Sequence, residues 1–174
     1  MNTTQPTVAL VYDFDGTLAP GNMQEFGLLQ SFGYNDPNEF WNLCDQIAKT
    51  NDAGGIAVVM YAIQAEAQRA GLRCTRDLLR NFGKDVQFFP GVEQWFGYIN
   101  AYAKEIGVNV KHYINSSGIK EMVEGCAIAN NFENIYACTY LYDSNGDACW
   151  PAVVVDYTKK TQFLFKINKG IREV

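Results

Sequence analysis

The chain has 174 residues, of which 48% are hydrophobic and 19% charged, a composition that excludes an intrinsically disordered protein. The length suffices for one ordinary domain, or for a small core with an insertion. The net charge of −5 and the lack of a Lys/Arg cluster argue against a nucleic-acid partner. Apolar runs stay well short of the length of a membrane-spanning helix, so a membrane partner is not expected either.

Cysteine usage and the amino terminus bear on the compartment. The five cysteines are an odd number and form no C-x-x-C spacing: Cys44, Cys74, Cys126, Cys138 and Cys149. This pattern is typical of free, mostly buried thiols in a reducing compartment. Residues Met1 to Thr7 are short and polar, unlike a signal peptide. The sequence therefore predicts a cytoplasmic protein.

The stretch that carries chemistry follows a short apolar run, Val8 to Tyr12, which predicts a strand buried on both faces of a parallel sheet. The run ends at Asp13 and Asp15, whose side chains can lean the same way on an extended chain. Ligands bind beyond the carboxyl ends of strands in open α/β sheets. There one carboxylate can attack an electrophile while the other handles a proton. A solvated Asp/Gly turn is the alternative for a bare D-x-D-G string.

Two neighbouring carboxylates also repel each other, which favours a bound cation, and hard oxygen ligands suit Mg²⁺. The full string Asp13-Phe14-Asp15-Gly16-Thr17-Leu18 resembles the first motif of the haloacid dehalogenase-like (HAD) superfamily, mostly Mg²⁺-dependent phosphohydrolases that work through a phospho-aspartate. The resemblance implies Asp13 as nucleophile, Asp15 as general acid/base and Thr17 as a phosphate-binding residue. It also implies that Mg²⁺ is bound by Asp13 and Asp15, the latter through its carbonyl.

A long helical segment follows, with helix starts at Asp36-Pro37-Asn38-Glu39 and at Thr75. It is too long for a simple crossover connection between parallel strands. We expect an inserted helical cap over residues 20–86, as the HAD resemblance also implies, and an α/β core over residues 1–19 and 87–174. Such a cap would exclude water and select the substrate. The alternative is that these helices belong to the core.

The core resumes with an amphipathic helix whose apolar face is predicted to pack in the core: Val92, Trp95, Phe96, Ile99, Ala103 and Ile106. A second strand is predicted over Val108 to Ile114, with His112, the only histidine, packed in or beside the sheet. Residues 132–142 and 148–157 predict two further strands joined as a hairpin. Asp143, Asn145 and Asp147 lie between them and are interpreted as turn residues, since a Ca²⁺ loop would need a later glycine and a closing glutamate.

The second strand is predicted to run into Asn115-Ser116-Ser117-Gly118 and then directly into a helix. Small hydroxyls and glycine before a helix N-terminus indicate an anion site, although serine is also an ordinary N-cap. The position coincides with the second HAD motif. The resemblance implies Ser116 as the phosphate-binding hydroxyl, with Ser117 as the alternative, and Gly118 as a point of close backbone approach.

Two lysines precede the last predicted helix, Lys159 and Lys160. A lysine at a helix start is unfavourable for the helix dipole unless an anion or carboxylates lie there. The position resembles the third HAD motif, whose lysine neutralises the nucleophile–phosphate cluster. We assign Lys160 to this role, with Lys159 as the alternative. Without the other motifs, two solvated lysines in a loop would explain the pattern equally well.

The fourth HAD motif, an acidic pair after another strand, has no counterpart downstream of Lys160. We therefore expect this polypeptide to be an N-terminal portion of a longer protein, and to be weakly active or inactive alone. The fold class predicted is α/β, with a Rossmann-like parallel sheet core, an inserted all-helical cap and a β-hairpin extension.

The function predicted is a Mg²⁺-dependent phosphomonoester hydrolase acting on a small phosphorylated metabolite through an aspartyl-phosphate. The alternatives are a phosphomutase or other phosphotransferase, which would use the same residues. A further alternative is a non-catalytic module that binds a phospho-ligand or a protein on the same fold. The substrate and the oligomeric state do not follow from the sequence.

Overall fold

The structure is a computed structural model that describes residues 5–171. Within this range four strands form one mixed sheet in the order β1-β2-β3-β4: β1 Thr7–Tyr12, β2 Asn109–Ile119, β3 Asn134–Tyr142 and β4 Ala148–Val153. The pairs β1–β2 and β2–β3 are parallel, and β3–β4 is antiparallel. The predicted α/β core with its β-hairpin extension is thereby confirmed.

Helices occupy most of the chain between and around these strands. They are α1 Leu28–Ser31, α2 Pro37–Asn51, α3 Gly55–Arg69, α4 Arg76–Gly83, α5 Val92–Glu105, α6 Lys120–Gly125 and α7 Tyr157–Lys169, with short 3₁₀ helices at Met23–Glu25 and Ala129–Asn131. The two predicted helix starts are present. The Asp36 side chain accepts the N–H of Asn38, and the Thr75 side chain accepts that of Leu78.

Strand β1 lies at an edge of the described sheet, and the prediction that it is buried on both faces is wrong. It pairs with β2 in a register that places Tyr12 opposite Ile114. Its first three residues are exposed and its last three are partly buried, with Val8 44% exposed. A short apolar run in a sequence does not reveal whether a strand lies in the middle or at the edge of a sheet.

Strand β2 is longer than predicted, because it continues past Ile114 to Ile119. The segment from Asn115 to Gly118 is therefore part of the strand, although its serines and glycine resemble turn residues in the sequence. Pairing with β3 is irregular there and resumes where Ile119 lies opposite Cys138. The following helix, α6, has only six residues.

Helix α5 covers the sheet less completely than its apolar stripe predicts. Phe96 is 1% exposed and packs edge-on against His112, but Trp95 and Ile106 are 41% and 56% exposed. His112 is buried between Tyr12, whose hydroxyl contacts Nδ1, and Asn100, whose Oδ1 contacts Nε2. It has the packing role that its place inside a strand predicts.

Helix α4, at the end of the predicted cap, lies directly on α6 of the core. A Cβ added at Gly83 would collide with the carbonyl oxygen of Met122, and one added at Gly125 would collide with that of Arg80. Both helices therefore depend on glycine for their close backbone approach. The division into core and cap stays a prediction, and α4 of residues 20–86 packs on α6.

Helix α3 is attached to the hairpin instead. The Tyr140 hydroxyl donates to the carbonyl of Met60 over 2.7 Å, and the Gln64 side chain donates to that of Ala148. Arg73, just after α3, pairs with Asp147 in the hairpin turn at 3.0 Å. These contacts attach α3 and the residues just after it to the hairpin, away from the contact between α4 and α6.

The hairpin turn is closed by Asp143, whose Oδ1 accepts the N–H groups of Asn145 and Asp147, as expected of turn residues. Among the five free cysteines only Cys149 is exposed. No helix within residues 5–171 has both the length and the apolarity needed to cross a bilayer. Residues 172–174, at the end of the stretch that has no counterpart of the fourth motif, lie outside the described residues.

Candidate active site

The two aspartates follow β1 immediately and lie in a compact turn. Phe14, between them, is fully buried, and its carbonyl accepts the N–H groups of Thr17 and Leu18. Gly16 has φ +71°, a conformation that glycine adopts without strain, and its N–H donates to Ala19. Phe14 thus anchors the turn from which both carboxylates project.

Asp13 is the more accessible of the two carboxylates. Its Oδ1 accepts the N–H of Phe14 over 2.8 Å, and its Oδ2 lies 2.8 Å from Nζ of Lys160. The Asp13 side chain is 46% exposed and that of Lys160 25% exposed. The pair is therefore accessible from solvent.

The structure separates the two candidate lysines. Helix α7 begins at Tyr157 with Asp156 as its N-cap, so both lysines lie in its first turn, and the prediction that they precede the helix is wrong. Lys159 directs its Nζ over the ring of Phe163, 5.5 Å from the ring centre. Lys160 alone of the two is paired with Asp13. Adjacent residues on a helix point in different directions, and the sequence alone does not show which of the two lysines points toward Asp13.

Asn115 joins the candidate site, although the sequence pattern did not point to it. It is 5% exposed, and its Nδ2 donates to the carbonyl oxygen of Lys160 over 2.9 Å. This bond holds the first turn of α7 against β2. Its Oδ1 is buried without a hydrogen-bond partner in the described structure. The signal available in the sequence was a polar residue directly after the predicted strand Val108 to Ile114.

Asp15 is more enclosed than Asp13. Its Oδ1 accepts the N–H of Met23 over 2.8 Å. Burial raises the pKa of Asp15 to about 7, with repulsion from Asp13 and Glu25 adding to the rise and the Met23 N–H and Lys160 opposing it. Near neutral pH such a group is present in both its protonated and ionised forms. This is the property required of a general acid that later acts as a base.

The predicted phosphate-binding residues lie on β2 and in the turn after β1. Ser116 is fully buried, and its Oγ accepts the N–H of Gly118 over 2.9 Å, which leaves its own O–H as a donor. Ser117 is partly buried and Thr17 is exposed. The backbone of Gly118 lies close to an aspartate, since a Cβ there would lie 3.0 Å from Oδ2 of Asp15.

The donor set can be tested against the expected metal. Within residues 5–171 no three His, Cys, Asp or Glu residues are grouped so that they could hold a metal ion by themselves. Asp13 and Asp15 provide two carboxylates in one turn. Mg²⁺ commonly binds through one or two carboxylates while keeping waters and contacting substrate phosphate. The residues present therefore fit a Mg²⁺ ion shared between protein and substrate, and do not form a closed protein cage.

Comparisons with known proteins bear on the fold. No protein-family model matches the chain. A Borreliella burgdorferi protein described as uncharacterized is 28% identical over 197 aligned positions, which cover 99% of this chain and 68% of that protein.

Two solved structures superpose over nearly the whole chain. A HAD-family hydrolase from Salmonella enterica serovar Typhi has a TM-score of 0.61 at 14% identity, over 98% of this chain and 54% of that one. A phospho-aspartyl intermediate analogue of phosphoserine phosphatase has a TM-score of 0.57 at 14% identity, over 94% of this chain and 72% of that one. This chain thus spans about half the length of the Salmonella protein. It shares the α/β fold of these two proteins, the fold that the resemblance of its first motif implies.

Proposed function

We propose that this chain carries the site of a Mg²⁺-dependent phosphomonoester hydrolase that acts on a small phosphorylated metabolite through an aspartyl-phosphate. The observation that carries the proposal is the 2.8 Å pair between Asp13 and Lys160, next to the enclosed carboxyl of Asp15. A cytoplasmic location, suggested by the free cysteines, is part of the same proposal.

Asp13 is the nucleophile in this proposal. One of its oxygens forms a bond to phosphorus while the bond from phosphorus to the leaving alkoxide breaks in line. The N–H of Phe14 on Oδ1 and the ammonium of Lys160 on Oδ2 fix the carboxylate before substrate arrives. Fixing the nucleophile in advance lowers the entropic cost of the displacement.

Asp15 moves the protons. In the first step it gives its proton to the oxygen of the departing alcohol. In the second step, now ionised, it takes a proton from the water that attacks the aspartyl-phosphate, which restores Asp13 and releases inorganic phosphate. A pKa of about 7, set mainly by burial, allows both roles at neutral pH.

The remaining groups bind the phosphoryl oxygens. Lys160 contributes a positive charge, Ser116 a hydroxyl donor and Thr17 a contact from the turn, with Ser117 as the alternative hydroxyl. Mg²⁺ would be held by Asp13 and the carbonyl of Asp15, and when bound it neutralises charge between the carboxylate and the phosphoryl group. The helices of residues 20–86 would act as the cap that limits access of water.

The test is covalent trapping on the purified chain. After incubation with Mg²⁺ and 4-nitrophenyl phosphate and an acid quench, mass spectrometry should find one phosphoryl group on the peptide that contains Asp13. Asp13→Asn should lose the label, whereas Asp45→Asn, an exposed aspartate on α2, should keep it. Trapping retained in Asp13→Asn refutes the assignment.

Product analysis distinguishes the alternatives. Transfer of phosphate to an added alcohol or sugar in preference to water would indicate a phosphotransferase. Calorimetry that detects phosphate binding with neither label nor turnover, in this chain and in any longer form of the protein, would indicate a binding module.

A further inference from the structure

Met23 connects the turn that carries Asp15 with the end of β2. It is fully buried and begins the 3₁₀ helix that follows the aspartate turn. Its backbone N–H donates to Oδ1 of Asp15 over 2.8 Å. Its Sδ accepts the N–H of Ile119, at the end of β2, over 3.3 Å. One residue thus holds the carboxyl of Asp15 and contacts the strand that carries the serines.

Gly118 provides the space for this arrangement. A Cβ at position 118 would collide with Cε of Met23, and would lie 2.9 Å from its Sδ and 3.0 Å from Oδ2 of Asp15. The backbone of Gly118 has no positive φ, so the conformation alone does not require glycine. What requires glycine here is the presence of Met23 and Asp15 against it.

The hydrogen bond from Met23 distinguishes the two oxygens of Asp15. Oδ1 accepts an N–H and therefore acts as the acceptor oxygen of the carboxyl. The proton of the neutral acid then resides on Oδ2, the oxygen that faces Gly118. A side chain at position 118 would press on that oxygen and on the methionine that holds the other one.

We propose that Met23 and Gly118 form a positioning pair for Asp15, in which Met23 holds Oδ1 and Gly118 leaves Oδ2 free to transfer the proton. The inference rests on the proposed function, in which Asp15 is the general acid/base. Met23 does not contact the reacting phosphoryl group in this scheme, and the role proposed for Gly118 is separate from its predicted backbone approach to phosphate. The two residues contribute by fixing the orientation of the Asp15 carboxyl group.

The kinetic test compares Gly118→Ala, Met23→Val and the double variant in the full 174-residue chain with Mg²⁺. The measured quantity is kcat/KM for two substrates, 4-nitrophenyl phosphate, whose leaving group needs little protonation, and an alkyl phosphate, whose leaving group needs it. Asp15→Asn is the reference for a lost acid. Gly97→Ala is the matched glycine control, because a Cβ at Gly97 would meet nothing within 4 Å.

Gly118→Ala should reduce kcat/KM by about 100-fold on the alkyl phosphate and by less than about 10-fold on 4-nitrophenyl phosphate, in the direction of Asp15→Asn. Adding Met23→Val removes Sδ and Cε and should recover part of the alkyl phosphate activity. Gly97→Ala should match the wild type on both substrates. Equal losses on the two substrates, or no recovery in the double variant, would overturn the pairing.

Amide hydrogen exchange provides a readout that does not depend on turnover. In the wild type the N–H groups of Met23 and Ile119 should both be protected. Gly118→Ala should speed exchange at both, and Met23→Val should speed it at Ile119, which loses its sulfur acceptor. Unchanged exchange at both amides overturns the inference. If neither this chain nor a longer form of the protein hydrolyses either substrate while these amides behave as expected, the proposed function fails and the Met23–Gly118 contact stands.

Discussion

Nζ of Lys160 contacts Oδ2 of Asp13 at 2.8 Å, whereas the neighbouring Lys159 lies over the ring of Phe163. The two lysines lie in one helical turn. Comparing their alanine variants therefore distinguishes the effect of a positive charge at Asp13 from that of a positive charge nearby. Lys160→Ala should lower kcat/KM by about 100-fold, the typical effect of removing one donor from a developing anion. Lys159→Ala should stay within about twofold, as a surface substitution does. Phosphate release measures both, and similar losses in the two variants would contradict the assignment.

The two adjacent serines should differ in stability as well as in phosphate binding. Ser116→Ala removes the buried Oγ that accepts the N–H of Gly118. Leaving that buried donor unpaired should lower the free energy of unfolding by about 1–3 kcal/mol, and the lost O–H should weaken competitive inhibition by inorganic phosphate. Ser117→Ala is the matched control. Urea unfolding and inhibition assays measure the two effects, and a larger effect of Ser117→Ala on phosphate inhibition would transfer the role to Ser117.

Glu121 should make stability depend on pH. It is fully buried on α6, with Arg76 at 3.3 Å and Oε2 without a hydrogen-bond partner in the described structure. Burial raises the pKa of Glu121 above its ordinary value of 4.5, with Glu124 adding to the rise, although a backbone N–H, Tyr142 and Arg76 oppose it. The folded state thus binds this proton more tightly than the unfolded state.

The stabilisation by that proton is complete below about pH 4.5 and is lost as pH rises through the folded-state pKa of Glu121. Glu121→Gln should remove this loss, so that the variant gains stability relative to the wild type as pH rises to neutrality. Denaturant unfolding at several pH values measures the difference. The exposed Glu93→Gln serves as control. Parallel stability curves for Glu121→Gln and the wild type would contradict the prediction.

The contact between α4 and α6 should tolerate no side chain at its two glycines. Gly83→Ala and Gly125→Ala each place a Cβ against a backbone carbonyl, which cannot move as a flexible side chain can. Each should lower stability by at least about 1–3 kcal/mol, the range for overpacking a core. Gly97→Ala, in open space on α5, should leave stability unchanged or raise it by up to about 1 kcal/mol. Thermal unfolding measures all three, and wild-type stability of Gly83→Ala would contradict the described contact.

Local signals predicted much of the fold correctly. The cap residues Asp36 and Thr75 mark helix starts in both sequence and structure, and the turn around Asp143 joins two strands as its composition predicts. The motif around Asp13 and Asp15 is likewise recognisable from consecutive residues. These features depend on neighbours in the chain, so a single sequence contains the information needed to recognise them.

Features that depend on distant neighbours were missed or wrong. The edge position of β1 and the continuation of β2 to Ile119 are consequences of which strands pair. Asn115 and Met23 form hydrogen bonds to Lys160 and Asp15 that only the folded chain brings together. The choice between Lys159 and Lys160 likewise required the position of Asp13 in space.

Gly83 and Gly125 interlock α4 with α6, and α6 starts one residue beyond the end of β2. We therefore expect a displacement of α4 to shift the segment from Ser116 to Ile119 through α6. A ligand that displaces α4 would thereby move the groups proposed to bind the phosphoryl oxygens, even if it never approaches the aspartates.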